Sequence, residues 1–403
     1  MFNYGALGRR RAQRWGLGDG HVVAAISMLD SEKSRFLKSL PPGALEIGGA
    51  GTGSADDRGT YPPGVRFGRV IFTGFRSIAM SWIKSLRLAF GACLALISAG
   101  AVAEEITFVT DFGINGRHAY FFVADKKGFY EEQGLAVNIV RGQGSSDAIK
   151  KVANGNARLG FADAGSLVLA RGNDQVPVKM VAVVYVRPPH AIYALEGSGI
   201  EKPEDLQGRK VADTAFSAIP ALFGAYAADA GIDPSKVGWV VADGSALPSL
   251  LSTGRADAIG QFVVGEPLLE KAVAPKKLVR LAYEDVGLSY YGNGLIASEE
   301  TIAENPDLVR RFVSATIKGM NYAFAHPQEA GEILHGYHRQ VDTDIGAGET
   351  RMVRALAEQP DGLPMGEIDP DMIAKTLQVV GSAFDLKHPV GVEDLYAPGF
   401  VGQ

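Results

Sequence analysis

Residues 135–167 read LAVNIVRGQGSSDAIKKVANGNARLGFADAGSL, and the change of rhythm inside them decides the fold. A short apolar run at 135–140 has strand length, and 145–154 then spaces its apolar residues for a helix. A second strand follows at 157–161, and a second helix opens at 164–172 after Phe161-Ala162-Asp163. Each helix starts from a loop of Gly, Asn, Asp or Ser, so helix N-termini gather at one edge of a sheet, where open α/β sheets hold small molecules. The alternation extends in both directions. Strands are predicted at 106–111, 178–186, 191–196, 209–213, 237–241, 256–260 and 277–282. Helices are predicted at 117–133, 218–230, 245–253 and 264–272, with a further helix start at Lys202-Pro203-Glu204-Asp205. The pattern predicts an α/β fold with mostly parallel strands.

Arg187-Pro188-Pro189 breaks the alternation, and residues 289–297 (SYYGNGLIA) read as a strand that returns to the first sheet. The predicted organisation is therefore two lobes, 104–188 plus 289–403 and 189–288, joined by two crossovers that act as a hinge. Residues 299–384 read as nearly all helical, with a cap at Asn305-Pro306-Asp307 and apolar spacing through Leu308, Phe312, Ala315, Ile317 and Met320.

Composition narrows the chemistry. With 403 residues, 46% hydrophobic and 21% charged, the chain has material for two globular lobes. Residues 1–79 carry 11 basic and 6 acidic side chains, so against −5 for the whole chain residues 80–403 are near −10. An acidic body lacks the basic stripe that nucleic-acid binding requires, and no nucleic-acid partner is expected. Cys93 is the only cysteine, which removes disulfide frameworks and cysteine-based metal sites. His335 and His338 are the only close histidine pair, and they read as a solvated helix face; no metal is expected.

The stretch MSWIKSLRLAFGACLALISAGAVAEE from Met80 carries Lys84 and Arg87, an apolar run from Leu88 to Ala103, and Ala101-Val102-Ala103 before Glu104. It reads as an export signal over 80–103, cleaved after Ala103; the alternative is a membrane anchor. Residues 1–79 hold about 14 glycines, an RRR run at 9–11 and no sustained periodicity. They read as an extension preceding the true start at Met80, or as a disordered segment. The mature chain begins near Glu104, has no thiol and is expected in the periplasm.

The candidate ligand-binding residues sit at strand-to-helix junctions. In Arg141-Gly142-Gln143-Gly144-Ser145-Ser146-Asp147, the glycines let backbone approach a ligand, and Gly144, Ser145 and Ser146 offer amides and hydroxyls over a helix start. The alternative is a tight turn with a serine cap. At the end of the first strand, Phe112 can stack on a ring and Asn115 can donate and accept, with His118 and Tyr120 in the following turn. Asp163 either caps its helix or meets a ligand N–H. In the second lobe Phe216, Ser217 and Gln261 occupy the corresponding junctions, and Tyr291 lies near the return crossover. No GxSxG, no SxxK followed by KTG and no catalytic cysteine is present, so no nucleophile–base arrangement emerges.

Three blocks in order carry a resemblance: DKKGFYEEQGLAVNIV (125–140), GQGSSDAIKKVANGNARLGFADAGSL (142–167) and NGLIASEETIAENPDLVRRFVSATIKGMNYAFAHPQEA (293–330). They resemble periplasmic solute-binding proteins of ABC importers that take thiamine-pyrimidine precursors, sulfonates, taurine or nitrate. The resemblance spans about 105–385 and implies a two-lobed type II periplasmic binding fold acting as a monomer with a permease and its ATPase. It implies a planar heterocyclic or aromatic solute in the interlobe cleft, held by aromatics and an acidic partner, with Phe112, Tyr291, Phe216 and Asp163 in those roles. The alternative is a sulfonate or nitrate anion on the Gly142–Ser146 loop, with Arg117, Arg141 and Arg187 as the nearby cations. Eukaryotic pyrimidine synthases share the resemblance, but they use a cysteine-rich iron motif, a consumed histidine and a lysine holding pyridoxal phosphate. The mature chain has no cysteine, so a binding protein without cofactor is expected.

Overall fold

A computed structural model describes residues 103–360 and 362–402. The predicted extension over 1–79 and, but for Ala103, the predicted export signal lie outside the described residues. Ten strands run in order: β1 (Glu104–Val109), β2 (Leu135–Val140), β3 (Leu159–Asp163), β4 (Val178–Val183), β5 (His190–Leu195), β6 (Lys210–Asp213), β7 (Gly238–Val241), β8 (Ala258–Phe262), β9 (Leu278–Ala282) and β10 (Asn293–Ser298). They form two five-stranded sheets, ordered β2-β1-β3-β10-β4 and β7-β6-β8-β5-β9. The chain leaves the first sheet after β4, builds the second, and returns as β10.

The expectation of mostly parallel strands is corrected. The pairs β1–β2, β1–β3, β6–β7 and β6–β8 are parallel, but β10 runs antiparallel to β3 and β4, and β5 antiparallel to β8 and β9. The reason is topological. β5 and β10 are the first strands after each crossover, so each enters its sheet at the hinge, where the neighbouring parallel strands end. The two crossovers pair with each other there: the N–H groups of Val184 and Tyr185 donate to Asn293 O at 2.9 and 2.8 Å, and Gly292 N–H donates to Tyr185 O at 2.9 Å.

Helices fill the connections: α1 (Ala119–Lys126), α2 (Phe129–Glu132), α3 (Ser145–Ala153) and α4 (Ala164–Asp174) in the first lobe, then α5 (Ala218–Ala230), α6 (Leu247–Ser252) and α7 (Glu266–Val273) in the second. The helix expected over 117–133 is divided by the turn at Lys127-Gly128, and the start at Pro203 is a single 3-10 turn, Pro203–Leu206. After β10 come α8 (Glu299–Glu304), α9 (Pro306–Ala325), α10 (Pro327–Tyr337), α11 (Thr343–Leu356) and α12 (Pro370–Ala383). The last two reach across the lobes. α11 packs on α7 as well as on the loop after β1, and α12 packs on both α4 and α5.

The first lobe is held by an aromatic cluster. Phe108 meets Phe121 and Phe312 at centroid distances of 4.5 and 5.0 Å, and Tyr130 stacks on Phe312 at 5.3 Å. Fully burying such a ring stabilises by about 1.5–3 kcal/mol. The helices α1 and α9 approach closely at Gly319, where a Cβ would lie 2.6 Å from Tyr120 O and 2.7 Å from Ala124 Cβ. In a free helix Gly→Ala gains about 1 kcal/mol. Gly319→Ala is expected instead to lose about 1–3 kcal/mol through overpacking, read as a lower urea midpoint; an unchanged or higher midpoint would contradict the close approach.

Candidate functional site

The strands that run toward the hinge end at acidic or amide side chains. Asp111 follows β1, Asp163 ends β3, Asp213 ends β6 and Gln261 lies at the end of β8. All four are buried, so each needs partners.

Asp111 has them. Arg117 Nη2 donates to Asp111 Oδ2 at 3.1 Å, His118 Nε2 lies 2.8 Å from Oδ1, and Asn293 Nδ2 on β10 donates to Oδ2 at 2.9 Å. Burial alone would raise the Asp111 pKa, but the Arg117 charge with the His118 and Asn293 hydrogen bonds outweighs it and holds the carboxyl below its usual value. His118 is fully buried, and burial pulls its pKa down despite Asp111. Its Nδ1 accepts from Asn115 N–H at 3.4 Å, so the ring clamps the loop as a neutral imidazole. The Arg117 guanidinium lies 5.0 Å from the Phe112 centroid and 4.7 Å from that of Phe262 on the other lobe.

Asp213 lacks such company. Its Oδ1 accepts from Thr214 N–H at 2.6 Å, while Oδ2 is buried without a hydrogen bond, facing Gly260. Burial pushes its pKa up to about 7, only partly offset by Thr214, Ser217 and Arg117. The two lobes meet over it. Ser146 N–H donates to Phe216 O at 3.4 Å, Thr214 Oγ1 donates to Gln143 O at 3.2 Å, and a Cβ on Gly144 would lie 2.0 Å from Phe216 O. The Gly144 φ of +148° also suits glycine.

Between the lobes lies a cavity of about 990 Å³. The first lobe contributes Phe112, Ile114, Asn115 and Arg141 from the sheet edge, and His338, Gln340, Asp342, Ile345 and Glu349 from the segment around the start of α11. The second contributes Thr214, Phe216, Val241, Asp243, Gln261 and Lys271. A much smaller pocket of about 20 Å³ lies beside it, lined by Asp111, Arg117, Ser145, Asp213, Ser217 and Gln261 among others.

Of the residues expected to bind ligand, Phe112, Asn115, Phe216 and Gln261 line the large cavity, and Ser145 and Ser217 line the small one. Gly144 and Ser146 form the contact between lobes. The remaining four are corrected. Tyr120 is fully buried in the first lobe, with its ring 4.2 Å from Phe121. Tyr291 is buried where its hydroxyl accepts from Asp369 N–H at 3.0 Å. His118 is spent on Asp111, and Asp163 caps α4 through Ser166 N–H at 2.7 Å while facing His190 Nε2 at 3.1 Å. None of the four lines either pocket, because an aromatic or acid next to a strand end is as readily turned inward as outward. His335 and His338 also depart from a simple solvated face: His335 Nδ1 lies 2.7 Å from Val341 O, and His338 lines the cavity.

Asp213 and Glu349 were missed. Asp213 had a signal, since it ends its strand as Asp163 does. Glu349 had a fainter one: it sits on the buried stripe of α11 with Gly346, Thr350 and Val353, where a charge is out of place.

A family model described as NMT1/THI5 like matches residues 115–330. The chain is 24% identical over 317 residues to the riboflavin-binding protein RibY of Chloroflexus aurantiacus, covering 74% of this chain and 86% of that one. It is 25% identical over 301 residues to the formylaminopyrimidine-binding protein of Halalkalibacterium halodurans, covering 73% and 90%. A 4-amino-5-hydroxymethyl-2-methylpyrimidine phosphate synthase of Saccharomyces cerevisiae, THI13, is 27% identical over 256 residues, covering 60% and 74%. The solved structure of the periplasmic aliphatic sulphonate binding protein SsuA from Escherichia coli superposes with a TM-score of 0.56 at 14% identity, covering 74% of this chain and 94% of that one.

The Asp213 carboxyl titrates near 7 in the fold against an ordinary 3.8. The folded protein therefore keeps a proton that the unfolded chain releases, so this stability is fully present below about pH 4 and is lost as pH rises toward 7. Asp213→Asn removes that slope, at most about 1.4 kcal/mol per pH unit. Thermal melts should show the variant gaining on the wild type between pH 5 and pH 8, and a constant difference would refute the buried titration.

Proposed function

Because the chain belongs to the NMT1/THI5-like family, we propose that it is the substrate-binding component of an importer, exported to the periplasm, and that it closes its two lobes on a planar heterocyclic solute. The observation that carries this reading is the interlobe cavity: the first lobe offers Phe112 and the second Phe216, with Asn115 and Gln261 as amide groups on the same lining. Aromatic faces select flat rings, and a few polar groups orient them. Relatives named for riboflavin and formylaminopyrimidine binding support a ring ligand. At about 990 Å³ the cavity stands at the top of the ordinary range of about 300–1,000 Å³, which favours a fused-ring ligand over a single pyrimidine.

Charge gives a sulfonate little to hold. Lys271 Nζ is held by Asp342 at 2.8 Å, and the neighbouring Arg117 by Asp111. An anionic head group that took either cation would leave a carboxylate behind, which is costly in a closed cleft; Arg141, which lines the cavity near Asp243, is the cation it could meet without displacing a pair.

The synthase reading fits the site poorly. Its lysine and cysteine chemistry finds no cysteine in residues 103–402, and Lys271, the only lysine lining the cavity among the described residues, is engaged by Asp342. What these residues can do is stack, hydrogen-bond and exclude water.

Thermal shift with riboflavin, formylaminopyrimidine and an aliphatic sulfonate tests the proposal, since a ligand at 100 times its Kd stabilises by about 2.7 kcal/mol. Riboflavin or formylaminopyrimidine should raise the melting temperature and the sulfonate should not. A shift with the sulfonate alone, or with none of the three, overturns the reading. Phe112→Ala should weaken binding of the stabilising heterocycle about 3- to 10-fold, the loss of one stacking face, with the fold intact by circular dichroism.

A further inference from the structure

Phe112 does more than line the cavity. The tip of its ring meets Gly244, which lies after β7 on the other lobe. A Cβ on Gly244 would stand 3.0 Å from both Cε1 and Cε2 of Phe112 and closer still to Cζ, and its three nearest atoms all belong to that ring. No side chain fits there while the lobes are together. Gly244 does not have a positive φ, so its backbone accepts any residue. The space taken by Phe112 is what excludes a side chain. Both residues border the large cavity.

Both sides of the contact are held. Phe112 O accepts from Thr110 Oγ1 at 2.7 Å, and the Arg117 guanidinium, itself paired with Asp111, lies over the ring at 5.0 Å from its centroid. On the second lobe, Asp243 Oδ1 accepts from Ser245 N–H at 2.9 Å and from the Ser245 hydroxyl at 2.6 Å, and Ala246 N–H donates to Asp243 O at 2.9 Å. These bonds pin the turn that carries Gly244. A reciprocal contact runs the other way: a Cβ on Gly144 of the first lobe would lie 2.7 Å from Phe216 Cβ of the second. Each lobe thus sets the aromatic residue of a strand-to-helix junction against a glycine of the other. At Gly144 the φ of +148° favours glycine in any case, so Gly244 is the position where the contact alone decides.

Resting on the heterocycle reading above, we infer that Gly244 is a positioning residue for solute capture: it seats the Phe112 ring as the lobes close, so that a solute stacked on that ring and the closed cleft stabilise one another. Arg117 covers the ring and Gly244 takes its tip, and what remains of Phe112 borders the cavity. A side chain at position 244 forces one of two outcomes. Either the lobes stay apart, or the ring turns out of its place on the cavity wall, and both weaken capture.

A double-mutant cycle tests the seat. Wild type, Gly244→Ala, Phe112→Ala and the double variant are titrated with riboflavin and with formylaminopyrimidine, and melting curves without ligand check each fold. Gly244→Ala is expected to weaken the bound heterocycle about 10-fold. In the Phe112→Ala background the same substitution is expected to change affinity by less than about 2-fold, because the ring it would strike is gone. A loss of equal size in both backgrounds means that the added methyl acts on the solute or the turn directly, and overturns the seat. Unchanged affinity for Gly244→Ala alone, with the wild type binding a heterocycle, overturns it as well while sparing the functional reading. Failure of the wild type to bind either heterocycle overturns both.

Discussion

The Asp111 carboxylate is the point on which the two-lobed arrangement turns. It stands at the end of β1, takes Arg117 and His118 from the turn that follows, and takes Asn293 from the strand that returns from the second lobe. A buried carboxylate with one partner removed costs about 3–5 kcal/mol, so all three partners are held to their places. The loop between Asp111 and His118 is thereby rigid on both sides, and Phe112 and Asn115 reach the cleft from a fixed base. Arg117 extends the arrangement to the other lobe through the Phe262 ring. One ionic cluster thus fixes the hinge strand, the first binding loop and part of the contact between lobes.

The second lobe answers with a different economy of charge. Asp213 stands at the end of β6 as Asp111 stands after β1, yet it has no cation of its own and is held close to neutral by burial. A second buried ion pair would carry its own desolvation cost, which a readily protonated acid avoids. Lys271 and Asp342 bridge the lobes nearer the surface, where both remain partly solvated and the pair is weak enough to open.

The C-terminal helices change the character of the cleft. Strand-edge loops alone would make a slot between two sheets. The segment from His338 to Glu349 closes one side of it, enlarging the cavity and lining it with polar groups. Membership of the family accounts for the loops, which lie within or next to residues 115–330; the added wall belongs to the remainder of the chain.

The amino-acid sequence by itself determined the alternation of strands and helices, the break at Arg187-Pro188-Pro189 and the return through residues 289–297, because hydrophobic period and turn chemistry are local properties. It also placed Phe112, Asn115, Phe216 and Gln261 at strand-to-helix junctions, and junctions gather at one edge whatever the side chains do. Only the tertiary structure decided which way those side chains face. Tyr120 and Tyr291 are buried in the core rather than on the cavity wall; His118 and Asp163 serve a neighbouring acid and a helix cap. Antiparallel pairing of β5 and β10 depends on where the chain re-enters a sheet, which no local pattern records. Glu349 is the clearest case: 232 to 238 residues of sequence separate it from Asp111 and Arg117, and its meaning comes from the face that α11 turns toward the cleft.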